Sequence, residues 1–150
     1  MPKRGKRSFG KRPRTKRLPV PAAPYRVFVS HATVDKWLAT TICEGIETVG
    51  AITFRDDRDI GGGDDIPETI RDAIDASDEM VVLLTPASVN RPWVLFEVAA
   101  AWQRRAQIVV IRQYVETDSI PAMLQSKKAI DLNDFNRYLD ELRTRLRTKK

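Results

Sequence analysis

The chain has 150 residues, 42% of them hydrophobic and 31% charged, proportions that suit one globular domain with a real core. No apolar run approaches the roughly eighteen residues of a membrane span, and no apolar signal core follows the basic N-terminus. A single cysteine excludes an internal disulfide and supplies no metal cluster, so a reducing cytoplasm is the expected location.

The net charge of +6 divides unevenly. Residues 1–24 hold nine Lys or Arg and no acid, whereas the rest of the chain carries seventeen basic against twenty acidic residues, a balance of −3. Rich in Pro, Gly and cations and poor in apolar side chains, segment 1–24 cannot offset its ordering entropy and is expected to be a disordered arm. Such an arm binds nucleic acid or an acidic surface without sequence preference, or merely solubilises the chain.

From Tyr25 onward strand and helix patterns alternate. Tyr25–Ser30 reads as a short buried strand, and Asp35 can cap a helix running to about Val49. Cys43 lies among Leu38, Ile42 and Ile46 and reads as a small core residue. Ala51–Phe54 is a second strand. The acidic, glycine-bearing loop 55–65 follows, and Pro67 opens a helix to about Ala76. Glu79–Thr85 is a continuous apolar run of the kind buried on both faces. Pro92 opens the next helix, Gln107–Arg112 forms a fourth strand and Lys128–Asp131 a weak fifth. Residues 134–147 close the chain as an amphipathic helix with Phe135, Tyr138, Leu139, Leu142 and Leu146 on one face. This alternation predicts an α/β fold, a doubly wound, flavodoxin-like five-stranded parallel sheet of order 2-1-3-4-5 flanked by helices.

One residue breaks the pattern. Glu97 interrupts the apolar run Trp93-Val-Leu-Phe-Glu-Val-Ala-Ala-Ala-Trp102, and burying a carboxylate there costs several kcal/mol unless it is paired, hydrogen-bonded or protonated. On a helix Trp93 and Glu97 are four apart and share a face. Helix geometry alone leaves two readings, a Glu on the solvent edge of a packed helix or a functional carboxylate. In the expected order the first and third strands adjoin and their following loops leave on opposite faces, opening a crevice between Ser30-His31-Ala32 and Thr85-Pro86-Ala87-Ser88. Glu97, less than two turns into its helix, is placed to overlook it.

At this point the residues resemble a family. Phe28-Val-Ser-His31 is similar to the first box of TIR domains, and Phe54–Ile66 to their mobile BB loop. Ser77–Pro86 is similar to their third strand, and Trp93-Val-Leu-Phe-Glu97 to the W-x-x-x-E pattern of NAD-consuming members. The likeness covers roughly residues 24–147, so a TIR domain over 25–150 is expected behind the arm, of a compact form that looks bacterial. It implies an NAD+ glycohydrolase or cyclase that breaks the nicotinamide–ribose bond, acting in anti-phage defence and activated by assembly, with Glu97 as catalytic residue. NAD+ is then substrate, and neither cofactor nor metal is required. Ser30, His31, Ala32 and Trp93 would bind the substrate. Loop residues Asp57, Arg58, Gly61, Gly62 and Gly63 would serve TIR–TIR contacts, and a separate activator or effector protein is implied.

Other readings stay open beside these. The alternative function is a non-catalytic TIR–TIR adaptor, which has no need of a carboxylate at Glu97. His31 invites a general-base role, although the family position favours binding or packing. Gly61–Gly63 lacks the lysine and the strand-to-helix context of a phosphate-binding loop. Asp56, Asp57, Arg58 and Asp59 read by default as a solvated charge run, Ser88 as a cap on the approach to the Glu97 helix, and Trp102 as core. A response-regulator receiver shares the fold, but it needs acids where this chain has Ser30-His31 and Thr85-Pro86.

Overall fold

A computed structural model describes residues 22–56 and 67–149. The expected arm, apart from residues 22–24, and the loop residues Asp57, Arg58, Gly61, Gly62 and Gly63 lie outside the described residues. Five strands, β1 (Arg26–Ser30), β2 (Ile52–Arg55), β3 (Glu79–Leu84), β4 (Gln107–Arg112) and β5 (Ala129–Asp131), form one sheet of order β2-β1-β3-β4-β5, and every neighbouring pair is parallel. The helices are α1 (Lys36–Thr48), α2 (Glu68–Asp75), α3 (Pro92–Gln103) and α4 (Phe135–Thr148).

The period-2 alternation of the strands sorts their side chains onto two cores. Val27, Val29, Val81, Leu83, Val109 and Ile111 meet Ile42 and Ile46 of α1 and Tyr138, Leu139 and Leu142 of α4. Phe28, Met80, Val82, Leu84 and Val110 meet Ile70 and Ile74 of α2 and Val94, Val98 and Ala101 of α3. β3, central and apolar from Met80 to Leu84, is buried along its whole length, as a strand covered on both faces requires. Where α1 meets α4 the Phe135 ring packs against Gly45: a Cβ on Gly45 would stand 2.6 Å from that ring. Gly50, at φ +98°, then turns the chain from α1 into β2 in a conformation that a side chain disfavours.

The N-terminal ends of the strands carry a polar cluster that the sequence reading passed over. Glu79, with 0% of its surface exposed, accepts hydrogen bonds from the Tyr25 and Tyr138 hydroxyls, each at 2.8 Å. Arg145 of α4 adds a two-pronged ion pair at 2.8 and 2.9 Å, the geometry in which guanidinium and carboxylate match best. Beside it Asp78 accepts from the Arg26 backbone N–H and from Lys149. Burial first, and then the Glu79 charge, pushes both tyrosine hydroxyls well above their usual pKa. Burial opposes the charge on Arg145, but its bonds to Glu79 outweigh that and raise its pKa. The cluster fastens β1, β3 and α4 together.

Candidate active site

The opposite end of the sheet holds a second buried glutamate. Glu97 is 1% exposed and belongs to the core-facing stripe of α3, between Val94 and Ala101 and beside Val98. The solvent-edge reading of this residue is therefore excluded. Ser30, the last residue of β1, has the same strand parity as Phe28 and so faces α3. Its hydroxyl donates to Glu97 at 2.5 Å. A carboxylate from the helix after β3 thus meets a hydroxyl from the end of β1, its neighbour in the sheet.

β1 and β3 form the switch point of the fold. The chain leaving β1 passes to α1 on one face and the chain leaving β3 passes to α3 on the other, which leaves a crevice at the carboxyl ends where ligands of open α/β sheets bind. Both lips are tied. The Thr85 hydroxyl donates to Asp35 at 2.6 Å, joining the loop after β3 to the turn before α1. Ser88, fully buried, accepts the Thr85 backbone N–H at 2.9 Å and donates to the Leu83 carbonyl at 2.8 Å. Ser88 therefore locks the loop on itself, and the expected helix-capping role is not what it does, because the residue before α3 is Arg91.

Of the other expected site residues, His31 and Ala32 are buried immediately after Ser30. The His31 Nδ1 lies 3.4 Å from the Val29 carbonyl. The Ala32 carbonyl accepts the Asp35 N–H at 2.9 Å and so shapes the β1 lip. Trp93 is the second residue of α3, one turn before Glu97; its side chain lies outside the described residues.

Three expectations are corrected. Asp56 is buried rather than solvated: the pairing of Val29 with Arg55 sets it level with Ser30, at the site end of β2. Trp102 is 46% exposed and covered by the Lys127 ammonium, 5.5 Å from the ring centre, so it is not core. Asp35 was expected as a helix cap and Thr85 as part of the crevice wall. Asp35 stands at the N-terminal cap position of α1, but its side chain makes no capping bond there. It instead accepts from Thr85 across 50 residues, a contact that the sequence does not show. Among the described residues no group of three His, Cys, Asp or Glu side chains could hold a metal ion. None of the described helices is long and apolar enough to cross a membrane.

Comparison with known proteins agrees with this fold. The sequence profile of the TIR domain matches residues 27–146. The stimulator of interferon genes protein of Magallana gigas is 29% identical in an alignment 125 residues long that covers 79% of this chain and 30% of that protein; the chain therefore spans under a third of that curated relative. The structure of a metazoan TIR-STING receptor from C. gigas in complex with 2′,3′-cGAMP superposes with a TM-score of 0.62 at 28% identity, covering 85% of this chain and 41% of that one. The TIR domain of the Toll-related receptor TRR-2 from Hydra magnipapillata superposes with a TM-score of 0.60 at 24% identity, covering 82% of this chain and 96% of that one, and supports the fold alone.

Proposed function

The chain belongs to the TIR domain family, and from that premise we propose that it is an NAD+ nucleosidase with Glu97 as its catalytic residue. The observation that carries this reading is a carboxylate 1% exposed on the core face of α3, bonded to the Ser30 hydroxyl beneath the crevice between β1 and β3. A fold that needs only packing at that position gains from an apolar side chain there, since burying a carboxylate costs several kcal/mol.

In this mechanism the bond between ribose C1′ and the nicotinamide nitrogen breaks, and nicotinamide departs with the electron pair. Positive charge develops on the ribose, as it does in glycoside hydrolysis. Glu97, facing the sugar in a water-poor site, stabilises that charge and holds the ribose hydroxyls. Ser30 keeps the carboxylate oriented. Nicotinamide is a cationic leaving group in NAD+, so no second carboxylate acid is needed. Water adding to C1′ yields ADP-ribose and a proton, while attack by the adenine of the same molecule yields a cyclic product. His31 and Ala32 shape the pocket wall, and the family resemblance gives Trp93 a part in substrate binding.

The rest of the reading follows the family resemblance. Copies associate through TIR–TIR contacts that include the Asp57–Gly63 loop, assembly or a separate activator protein switches on cleavage, and the basic arm offers a contact to nucleic acid. A cytoplasmic role in bacterial defence against phage completes the proposal. NAD+ consumption by the purified protein at high concentration, wild type beside Glu97→Gln with products separated chromatographically, tests it. Loss of NAD+ with the wild type alone is the expected result. Equal loss with both proteins removes Glu97 from the mechanism, and no loss with either leaves two readings, an adaptor or an enzyme awaiting its activator.

A further inference from the structure

We propose that a cleft between the end of β4 and the crossover 113–128 binds a diphosphate group, the chemistry shared by inorganic pyrophosphate and nucleoside diphosphates. The cleft has a volume of about 390 Å³, and its walls include Arg112, Thr117, Asp118, Lys127 and Lys128. That volume is in the range of small-ligand sites. The cleft lies by β4 and β5, on the far side of β3 from the Ser30 end of β1, so the proposal does not depend on the catalytic reading.

Charge and its fixation point to an anion. Arg112 and Lys127 are half-buried and Lys128 is exposed; among the described residues none of the three is in an ion pair. Arg112 is held by β4 and by its own bond to the Val115 carbonyl at 2.9 Å. Lys127 is held over the Trp102 ring. Three cations around one cleft repel each other in the absence of a counter-charge, and the repulsion grows as water is excluded. The Asp118 carboxylate shares the cleft but pairs with none of them. A planar guanidinium beside two ammonium groups and a threonine hydroxyl suits adjacent phosphate groups: the fork takes two oxygens and each ammonium acts as a point charge.

A neighbouring feature separates the two sources of diphosphate. Tyr114 is 86% exposed and holds φ +55°, a left-handed backbone uncommon for a bulky residue, in the turn that Arg112 staples to Val115. Its ring is available to stack on a nucleobase.

Titration of the full chain with inorganic pyrophosphate, and then with ADP, by calorimetry at about 0.1 M salt tests the site. The wild type is expected to saturate. Lys127→Gln with Lys128→Gln should weaken binding about tenfold with the melting temperature unchanged. Asp118→Asn should tighten binding about threefold, a gain that no damaged fold could produce. Absence of saturation at millimolar pyrophosphate, equal affinity in the double lysine variant, or no gain in Asp118→Asn would each overturn the proposal. Tighter binding of ADP than of pyrophosphate, with the difference removed in Tyr114→Ala, assigns a nucleotide; equal affinities assign free pyrophosphate.

Discussion

The molecule buries two glutamates, one at each end of its sheet, and they are set up in opposite ways. Glu79 stands at the N-terminal end of β3 and meets two tyrosine hydroxyls and both prongs of Arg145. Its charge is balanced in place, and its bonds fasten strands to the last helix. Glu97 stands at the carboxyl end, bonded to the serine that ends β1 under a crevice whose lips Asp35 and Thr85 close. A carboxylate neutralised by a guanidinium fork has little capacity left for a ligand. One that meets a hydroxyl at a topological switch point is where such a fold receives ligands. Burial alone does not identify a functional acid; the chemistry of its partners and the end of the sheet on which it sits do.

The sharpest way to break this comparison is to neutralise each carboxylate. Glu97→Gln keeps an oxygen for the Ser30 hydroxyl and so should stay folded, while NAD+ cleavage falls about 10²- to 10³-fold, the scale of losing one transition-state contact. Product chromatography beside a thermal melt reads both quantities. Glu79→Gln should do the reverse. It leaves Arg145, three-quarters buried, without its counter-ion, at a cost of about 3 kcal/mol measured by urea unfolding, with activity per folded molecule unchanged. A variant of Glu79 that lost activity and kept its stability would erase the distinction between the two ends.

Alkaline pH addresses the Glu79 end alone. Tyr138 is buried and its pKa is raised, so in the folded chain its proton is retained above the value of about 10 at which the unfolded chain releases it. The stability this contributes is complete below pH 10 and declines as pH rises beyond it, by about 1.4 kcal/mol per unit for one proton. Tyr25 adds a decline of the same sign, so Tyr138→Phe should lessen the slope by one proton's share and leave the rest, as read by urea midpoints between pH 9 and 11. An unchanged slope would mean that the hydroxyl ionises freely in the fold.

What the sequence made legible follows from the range of the interactions. Strand and helix patterns are local, and the apolar lengths of β3 and β4 with helical runs between them were enough to predict the order 2-1-3-4-5. Glu97 was legible because its neighbours are apolar, so one charge stood out. Glu79 was hidden because it opens a run that reads as one apolar strand; its partners lie 54, 59 and 66 residues away. Trp102 was read as core from its helix, but it falls in the last turn, where packing against the sheet ends and Lys127 arrives from a later loop. Asp56 was read with the charged residues after it, although register sets it level with the buried end of β1.

The smallest expected effect separates support of the site from its chemistry. Ser30→Ala removes the hydroxyl from Glu97 and leaves a buried carboxylate short of one donor, at a cost to folding of about 1–2 kcal/mol. Were the bond merely a way to bury Glu97, the double variant Ser30→Ala with Glu97→Gln would recover much of that loss, because a neutral amide tolerates the missing donor better. Activity would then depend on Glu97 alone. A serine that orients the carboxylate gives another pattern: Ser30→Ala lowers kcat about tenfold with KM little changed, and Ser30→Thr, which restores a hydroxyl, recovers part of it. Steady-state kinetics on the single variants, with unfolding curves on the double variant, decide between these outcomes. A rise in KM at constant kcat would place Ser30 on the bound substrate instead of on Glu97.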